Sequence, residues 1–447
     1  MSSSKSELRQ RFWRWHFFAG LLVCPYIILL SITGSIYLFK PQIDRAFEQR
    51  LERDLPAAIG QPMSAEQLLN GVLSHNPDAV LSQYTLARAE DRSVEIELLQ
   101  AVANDSNSSV KVTYWIDKYT GEVLASKQSD KRFLHLVKKL HSELLLGSGG
   151  SYIVELVASW TIILLITGVY VWLKSAEVSG WKLVSLNLKK VKPPVLWRQL
   201  HGVVGLWIAV PLLLILLSGL PWTQLWGGGY DKISKTLGWD GPGQEWRITL
   251  QSNLPAVKID DFESDDLLEL SRVPISEITT NESVLAMTPP IHILPPKPNN
   301  GVWSVRSLPP QRHLRETLHF DQYSGEQMMR IGFEDMHPVQ RFVSNGISFH
   351  EGALFGTPNL VLVLITAISA LILSVLGTYI WWKRRPKGAL AAPAKIDRPL
   401  SLRLTLGILI FAIFLPAAGL SILAIIIMEF IWSRFFARQT STIETAL

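Results

Sequence analysis

Five stretches of the chain, residues 17–39, 152–173, 203–225, 358–382 and 404–432, are apolar almost throughout. Each is long enough to cross a hydrocarbon core of roughly 30 Å as a helix. Between them the pattern changes. Residues 41–131 offer a helical repeat near 63–74 and then alternating runs at 93–99 and 109–116, which read as strands. Residues 227–340 form a second polar region of similar size. The pattern predicts an α-helical membrane protein with five transmembrane helices and two small α+β domains outside the membrane. The first apolar run is longer than the core of a secretory signal, and a partner for it lies mid-chain, so it reads as a retained span.

The chain also contains itself twice. Residues 132–174 align without a gap on 341–383, placing Arg132 on Arg341, His141 on His350, Gly147 on Gly356, Gly168 on Gly377 and Tyr170 on Tyr379. At another offset His16, Gly20 and Gly34 fall on His201, Gly205 and Gly219. A helix–domain–helix unit is therefore duplicated, with a C-terminal helix added. The order reads as N-terminus and first span 1–40, first domain 41–131, lead-in and second span 132–174, loop 175–200 and third span 201–226. Then follow the second domain 227–340, lead-in and fourth span 341–383, loop 384–403, and fifth span with tail 404–447. The fifth span echoes the first in its proline and later serine, Pro416 and Ser421, but has no matching histidine.

Composition agrees with this architecture: 48% of residues are hydrophobic and 18% charged. Positive charge sits where it would set topology. The segment 174–198 opposes six basic residues, Lys189 and Lys190 among them, to Glu177, and 383–403 opposes seven to Asp397. With Arg9, Arg11 and Arg14 near the start, these place the N-terminus and both loops inside and the two domains outside. The net charge of +5 is thus topological and gives no reason to expect nucleic acid. A single cysteine, Cys24, excludes a disulfide framework or a cysteine-ligated cluster within one chain.

Histidine is rare in membrane spans and readily binds metal. His16 and His201 fall at the inner ends of spans one and three, His141 and His350 just outside spans two and four. Two repeats running in the same direction place like positions face to face about an axis along the membrane normal. A flat cofactor on that axis, with one imidazole from each half, uses the symmetry, and two axial imidazoles describe a six-coordinate electron-transfer haem. A closed zinc site wants four ligands at one place, whereas these four split between two depths. His350-Glu351-Gly352-Ala353-Leu354 also lacks the second histidine of a metalloprotease helix. Taken singly, each histidine is equally served by a hydrogen bond to a carbonyl or headgroup.

Arginine suits anionic propionates. Arg132 and Arg341 repeat with the outer histidines, while Arg14 and Arg198 precede the inner ones and serve topology equally well. Gly20 and Gly205, four residues after His16 and His201, share their helical face and admit either a macrocycle or close helix packing. His135, His313, His319 and His337 lie outside the spans, for solvent or for an iron complex. Glu155 and Glu429, near span ends, suit a quinone, a proton path or snorkelling.

Both domains close on one phrase, Asp117-Lys-Tyr-Thr-Gly-Glu122 and Asp321-Gln-Tyr-Ser-Gly-Glu326, a hairpin-turn signal. The repeated unit of span, small domain with this turn, and returning span resembles the PepSY-associated transmembrane proteins, often described as iron-regulated inner-membrane proteins, over nearly the whole chain. The resemblance implies PepSY-like periplasmic domains and a bacterial cytoplasmic (inner) membrane. Its functional members include haem-containing siderophore reductases. It therefore implies two b-type haems and electron transfer to a periplasmic ferric-siderophore or other iron complex. No glycine-rich dinucleotide fingerprint is present, so electrons would come from quinol or a separate reductase. The alternative is a membrane-anchored periplasmic binding module that regulates a peptidase or envelope protein without redox activity.

Overall fold

The computed structural model describes residues 2–88, 90–102, 105–175, 180–186, 192–239, 250–252, 272–297, 300–396 and 398–435. Of the loop charges named above, Glu177, Lys189, Lys190 and Asp397 lie outside the described residues. Along the first half run α1 (Ser2–Leu38), α2 (Lys40–Glu52), α3 (Ala65–Ser74), β1 (Val80–Leu86), β2 (Ser93–Val102), β3 (Asp105–Asp117), β4 (Val123–Gln128), α4 (Phe133–Glu143) and α5 (Gly147–Leu173). The second half has α6 (Pro193–Gly219), α7 (Leu225–Thr236), α8 (Ile275–Thr280), α9 (Glu282–Leu285), β5 (Ile291–Leu294), β6 (Val302–Ser307), β7 (Glu316–Asp321), β8 (Gln327–Gly332), α10 (Pro338–His350) and α11 (Thr357–Arg384). Then follow α12 (Leu402–Phe414) and α13 (Pro416–Phe435). The chain divides into a helical unit, Met1–Leu38, Lys138–Ile233 and Pro358–Leu447, and a sheet unit, Phe39–Val137 and Ser234–Thr357.

Among the described residues, four helices of the helical unit are long and apolar enough to cross a membrane: Glu7–Leu38, Gly147–Leu173, Pro193–Trp222 and Thr357–Arg384. Their polarity is inverted relative to a soluble bundle. The buried positions of α5 include Ser151, Glu155, Ser159 and Thr167, and those of α11 include Asn359, Thr366, Ala370 and Ser374. These recur every three or four residues, one helical face, and small side chains there let backbones approach closely. Outward positions such as Ile166, Leu214 and Ile365 are exposed.

The fifth span departs from expectation. It is two helices of 13 and 20 residues, broken at Leu415, whose φ of −118° and ψ of 81° are not helical. Pro416 explains the break: it has no N–H to donate, and its ring clashes with the carbonyl four residues back. The second piece is tied to α5 by the Trp160 indole, which donates to Ser421 Oγ at 3.0 Å.

In the sheet unit the strands of the two predicted domain regions pair with one another. One antiparallel sheet of eight strands runs β4-β3-β2-β1-β5-β6-β7-β8. The halves join where β1 meets β5, with Tyr84 opposite Ile293, Thr85 opposite His292 and Leu86 opposite Ile291. Each half would otherwise leave its first strand as an open edge with unpaired N–H and C=O groups, and pairing the two edges removes both. One sheet face packs Ile96, Leu98, Ile293, Val305, Leu318 and Phe320 against Leu68 and Val72 of α3 and Ile275 and Ile278 of α8. A capping box at Ser64 and Gln67 starts α3.

The repeated turn phrase is structural. Gly121 and Gly325 adopt φ of 72° and 71°, a region glycine enters without a Cβ clash. Asp117 Oδ1 accepts from the Tyr119 N–H at 2.9 Å, and Asp321 Oδ1 from those of Tyr323 and Ser324 at 2.8 and 3.0 Å.

Candidate functional site

The helical unit contains one packing arrangement twice. On α1, His16 lies against α5, where its Nδ1 donates to the Leu164 carbonyl at 2.9 Å and the Thr167 hydroxyl is 3.4 Å away. A Cβ placed on Gly168 would come 2.7 Å from His16 Cε1, so the glycine forms a notch for the ring. On α6, His201 lies in the same way over Gly377 of α11, where a Cβ would come 3.3 Å from Cε1. Its Nδ1 turns toward the Leu373 carbonyl but is buried short of hydrogen-bond geometry. Leu164 and Leu373 are repeat-related, as are Gly168 and Gly377. One turn earlier the match continues: Phe12 meets Tyr170 edge-on at 4.7 Å, and Trp197 meets Tyr379 at 6.3 Å.

These two interfaces bring the inner histidines together. The ring centroids of His16 and His201 are 6.3 Å apart and the ring planes meet at 87°. A five-membered ring with bonds of about 1.35 Å puts each nitrogen about 1.15 Å from the centroid. With metal–imidazole bonds of about 2.0–2.1 Å, two imidazoles on opposite sides of one metal have centroids roughly 6.3–6.5 Å apart. An edge-to-face ring contact spans the same range. Two features distinguish this pair: a glycine notch under each ring, and the commitment of His16 Nδ1. A carbonyl only accepts, so Nδ1 carries the hydrogen and Nε2 keeps its lone pair, as second-sphere partners of metal-bound histidines arrange. Among the described residues no three His, Cys, Asp or Glu side chains gather as a metal cluster. The site presents two facing imidazoles.

The other predicted residues separate into groups. His141, at the end of α4, belongs to the helical unit and packs on α1: its Nδ1 is 2.9 Å from Thr33 Oγ1, and a Cβ on Gly34 would come 3.0 Å from its Cε1. His350 ends α10 in the sheet unit, beside Glu351, which takes the Arg312 guanidinium at 3.0 Å. Gly20 and Gly205 do not touch the inner rings. A Cβ on them would meet Leu164 Cδ1 at 3.5 Å and Leu373 Cδ1 at 3.8 Å, ordinary helix packing.

Arg14, Arg132 and Arg341 have protein partners. Arg14 donates to the Pro393 carbonyl and lies over Phe18. Arg198 is close to Arg9 and Arg384 at the same helix ends. Arg132 pairs with Glu95 and with Asp44, and stacks over Trp115 at 5.1 Å. Arg341 pairs with Glu334 at 2.7 Å.

Glu155 neither snorkels nor faces a channel. It is fully buried, and its two oxygens accept from the Leu225 and Trp226 N–H groups at 2.8 and 3.0 Å, capping the first turn of α7. Glu429 is exposed on α13. His337 caps α10, accepting from the Val339 N–H at 3.3 Å, and stacks on Trp239. His319 on β7 bonds Ser304 at 3.0 Å. His135 lies on α4, and His313 in a short turn at Arg312–Leu314.

Sequence reasoning missed His292, which takes hydrogen bonds from Gln83 and Thr85 at 2.8 and 3.1 Å across the β1–β5 junction. Burial, then the Lys40 ammonium, lowers its pKa to about 4. It joins the two halves as a neutral hydrogen-bonding group. Nothing in the alternation of residues 291–294 signals this, because the partner strand is some 200 residues away.

A family model described as PepSY-associated TM region matches residues 13–384. No curated protein matches the chain.

Proposed function

The chain belongs to the PepSY-associated TM family, and from that premise we propose that it is a membrane electron-transfer protein of the bacterial inner membrane. In this reading His16 and His201 would hold one b-type haem, and His141 and His350 are each candidate ligands for further haem. The acceptor is a ferric complex outside the membrane, of the siderophore class; the donor is quinol or a separate reductase. The observation that carries the reading is the inner pair: two repeat-related histidines, each in a glycine notch, with centroids 6.3 Å apart.

A bound haem would supply one-electron transfer. The residues of the chain do the rest. Leu164 O holds the proton on His16 Nδ1, so Nε2 is the donor nitrogen. Gly168 and Gly377 let the rings lie close to the neighbouring backbones. From His16 to Gly34, the glycine under His141, eighteen helical residues at 1.5 Å each separate the two levels by about 27 Å. One level therefore lies near each end of the span. Delivery of one electron to a ferric chelate gives ferrous iron, a softer acid that binds hard oxygen donors less tightly.

The test is the visible spectrum of detergent-purified protein, oxidised and then reduced, with haem counted per chain in single histidine variants. Sharp bis-imidazole bands that lose one component in His16→Ala or His201→Ala, and the other in His141→Ala or His350→Ala, support the reading. A colourless protein that hemin does not reconstitute leaves the anchored binding module.

A further inference from the structure

The bond that orients His141 has a direction. Thr33 is buried on α1, and its Oγ1 is 2.8 Å from the Leu29 carbonyl, 3.2 Å from the Leu30 carbonyl and 2.9 Å from His141 Nδ1. A hydroxyl has one hydrogen and two lone pairs, whereas a carbonyl can only accept. If the hydroxyl donated to the histidine, its lone pairs would face those of Leu29 O at 2.8 Å. The hydrogen therefore goes to the helix carbonyl, the usual back-bond of a helical threonine. His141 Nδ1 must then supply the hydrogen to Thr33. The ring is held as the Nδ1–H tautomer, with Nε2 the basic nitrogen.

We infer that Thr33 is a positioning residue: its hydroxyl selects the tautomer of His141 that presents Nε2 to a metal, and Gly34 sets the depth of the ring. This rests on the reading of His141 as a ligand. His16 reaches the same state through a main-chain carbonyl, so two different acceptors converge on one tautomer at two levels of α1. The hydroxyl–glycine pair also recurs: Ser218, followed by Gly219, donates to the Leu214 carbonyl at 2.7 Å. The offset from Thr33 to Ser218 is the one that relates His16 to His201.

The test uses full-length protein in detergent, depleted of haem and titrated with hemin, with electron paramagnetic resonance of the low-spin ferric signals. Removing an outer partner of a metal-bound histidine typically weakens binding by roughly 10–100-fold. Thr33→Val keeps the shape and deletes the hydroxyl. It is expected to weaken hemin binding by that factor at the component that His141→Ala abolishes, and to shift the g values of that component. Thr33→Ser should restore both, and the component dependent on His16 should not change. Wild-type binding and g values in Thr33→Val, while His141→Ala loses a hemin, would overturn the role of Thr33 and leave ligation standing. Equal loss in Thr33→Val and Thr33→Ser would overturn it in favour of packing. Full hemin binding in His141→Ala would remove the ligand reading and this inference with it.

Discussion

Gly168→Ala should displace the inner histidine more than it destabilises the protein. The added Cβ would come 2.7 Å from His16 Cε1 and 3.0 Å from its Nδ1. Carbon contacts are optimal at about 3.5–4.0 Å, so the ring must withdraw by roughly 0.8 Å or more. Overpacking of this kind costs about 1–3 kcal/mol. Alanine returns up to about 1 kcal/mol through its better helix propensity, which leaves a net loss on the order of 0–3 kcal/mol. Ligand geometry tolerates only about 0.5 Å, so retention at the inner site should fall far more than stability. The other glycines give a graded control. A Cβ on Gly377 stands 3.3 Å from His201, whereas those on Gly20 and Gly205 meet leucine methyl groups at 3.5 and 3.8 Å. Hemin per chain and thermal unfolding should rank Gly168→Ala as most damaging to binding, Gly377→Ala as mild, and the other two as neutral or slightly stabilising. Equal hemin binding and melting in Gly168→Ala and Gly20→Ala would refute the notch.

Glu155→Ala leaves the Leu225 and Trp226 amides without their acceptors; at about 1.5–3 kcal/mol per charge-assisted bond it should cost on the order of 3–6 kcal/mol, and Glu155→Gln, which keeps one acceptor oxygen, clearly less. Unfolding in detergent would show this, and an unchanged melt in Glu155→Ala would contradict it. Arg132→Gln should lower the melting temperature of the protein without removing a haem, because its guanidinium is taken by Glu95 and Asp44; loss of haem at unchanged melting would return it to a propionate role. Glu48 is raised to about 7 by burial and by the neighbouring Asp91, Glu95 and Asp44 carboxylates. Its ordinary value is about 4.3. The folded state therefore holds this proton more tightly, and the associated stability is full below the ordinary value and lost as pH rises through 7. Glu48→Gln should thus stabilise the protein most at pH 8, the gain fading toward pH 4; a gain independent of pH would count against it. His292, held at about 4, acts in the opposite sense, losing its contribution as pH falls from about 6.5.

The duplication, the four long spans and the hairpin turns were legible because each is written in local pattern: a gapless repeat, apolar length, and Asp with Gly at a tight turn. What was not legible depends on partners distant in sequence. The joining of β1 to β5 is invisible to alternation, which reports a strand but not its neighbour. Gly20 and Gly205 share a helical face with their histidines, yet the rings rest on Gly168 and Gly377 of the next helix. Those positions stood in the repeat alignment, but a single helix pattern does not say which glycine of a neighbour lies beneath a ring. Glu155 looked like a snorkelling or channel acid because its two amide donors are some 70 residues away. The break at Leu415 had a local signal in Pro416, outweighed by the unbroken apolar run.

The central claim is that His16 and His201 are joint axial ligands of one metal. Its most direct test is low-temperature electron paramagnetic resonance of the oxidised full-length protein, with hemin counted in His16→Ala, His201→Ala and the double variant. The account predicts one low-spin ferric signal of bis-imidazole type that each single variant abolishes and whose loss is no greater in the double. Retention of that signal in either single variant, or additive losses of two separate components, would contradict it.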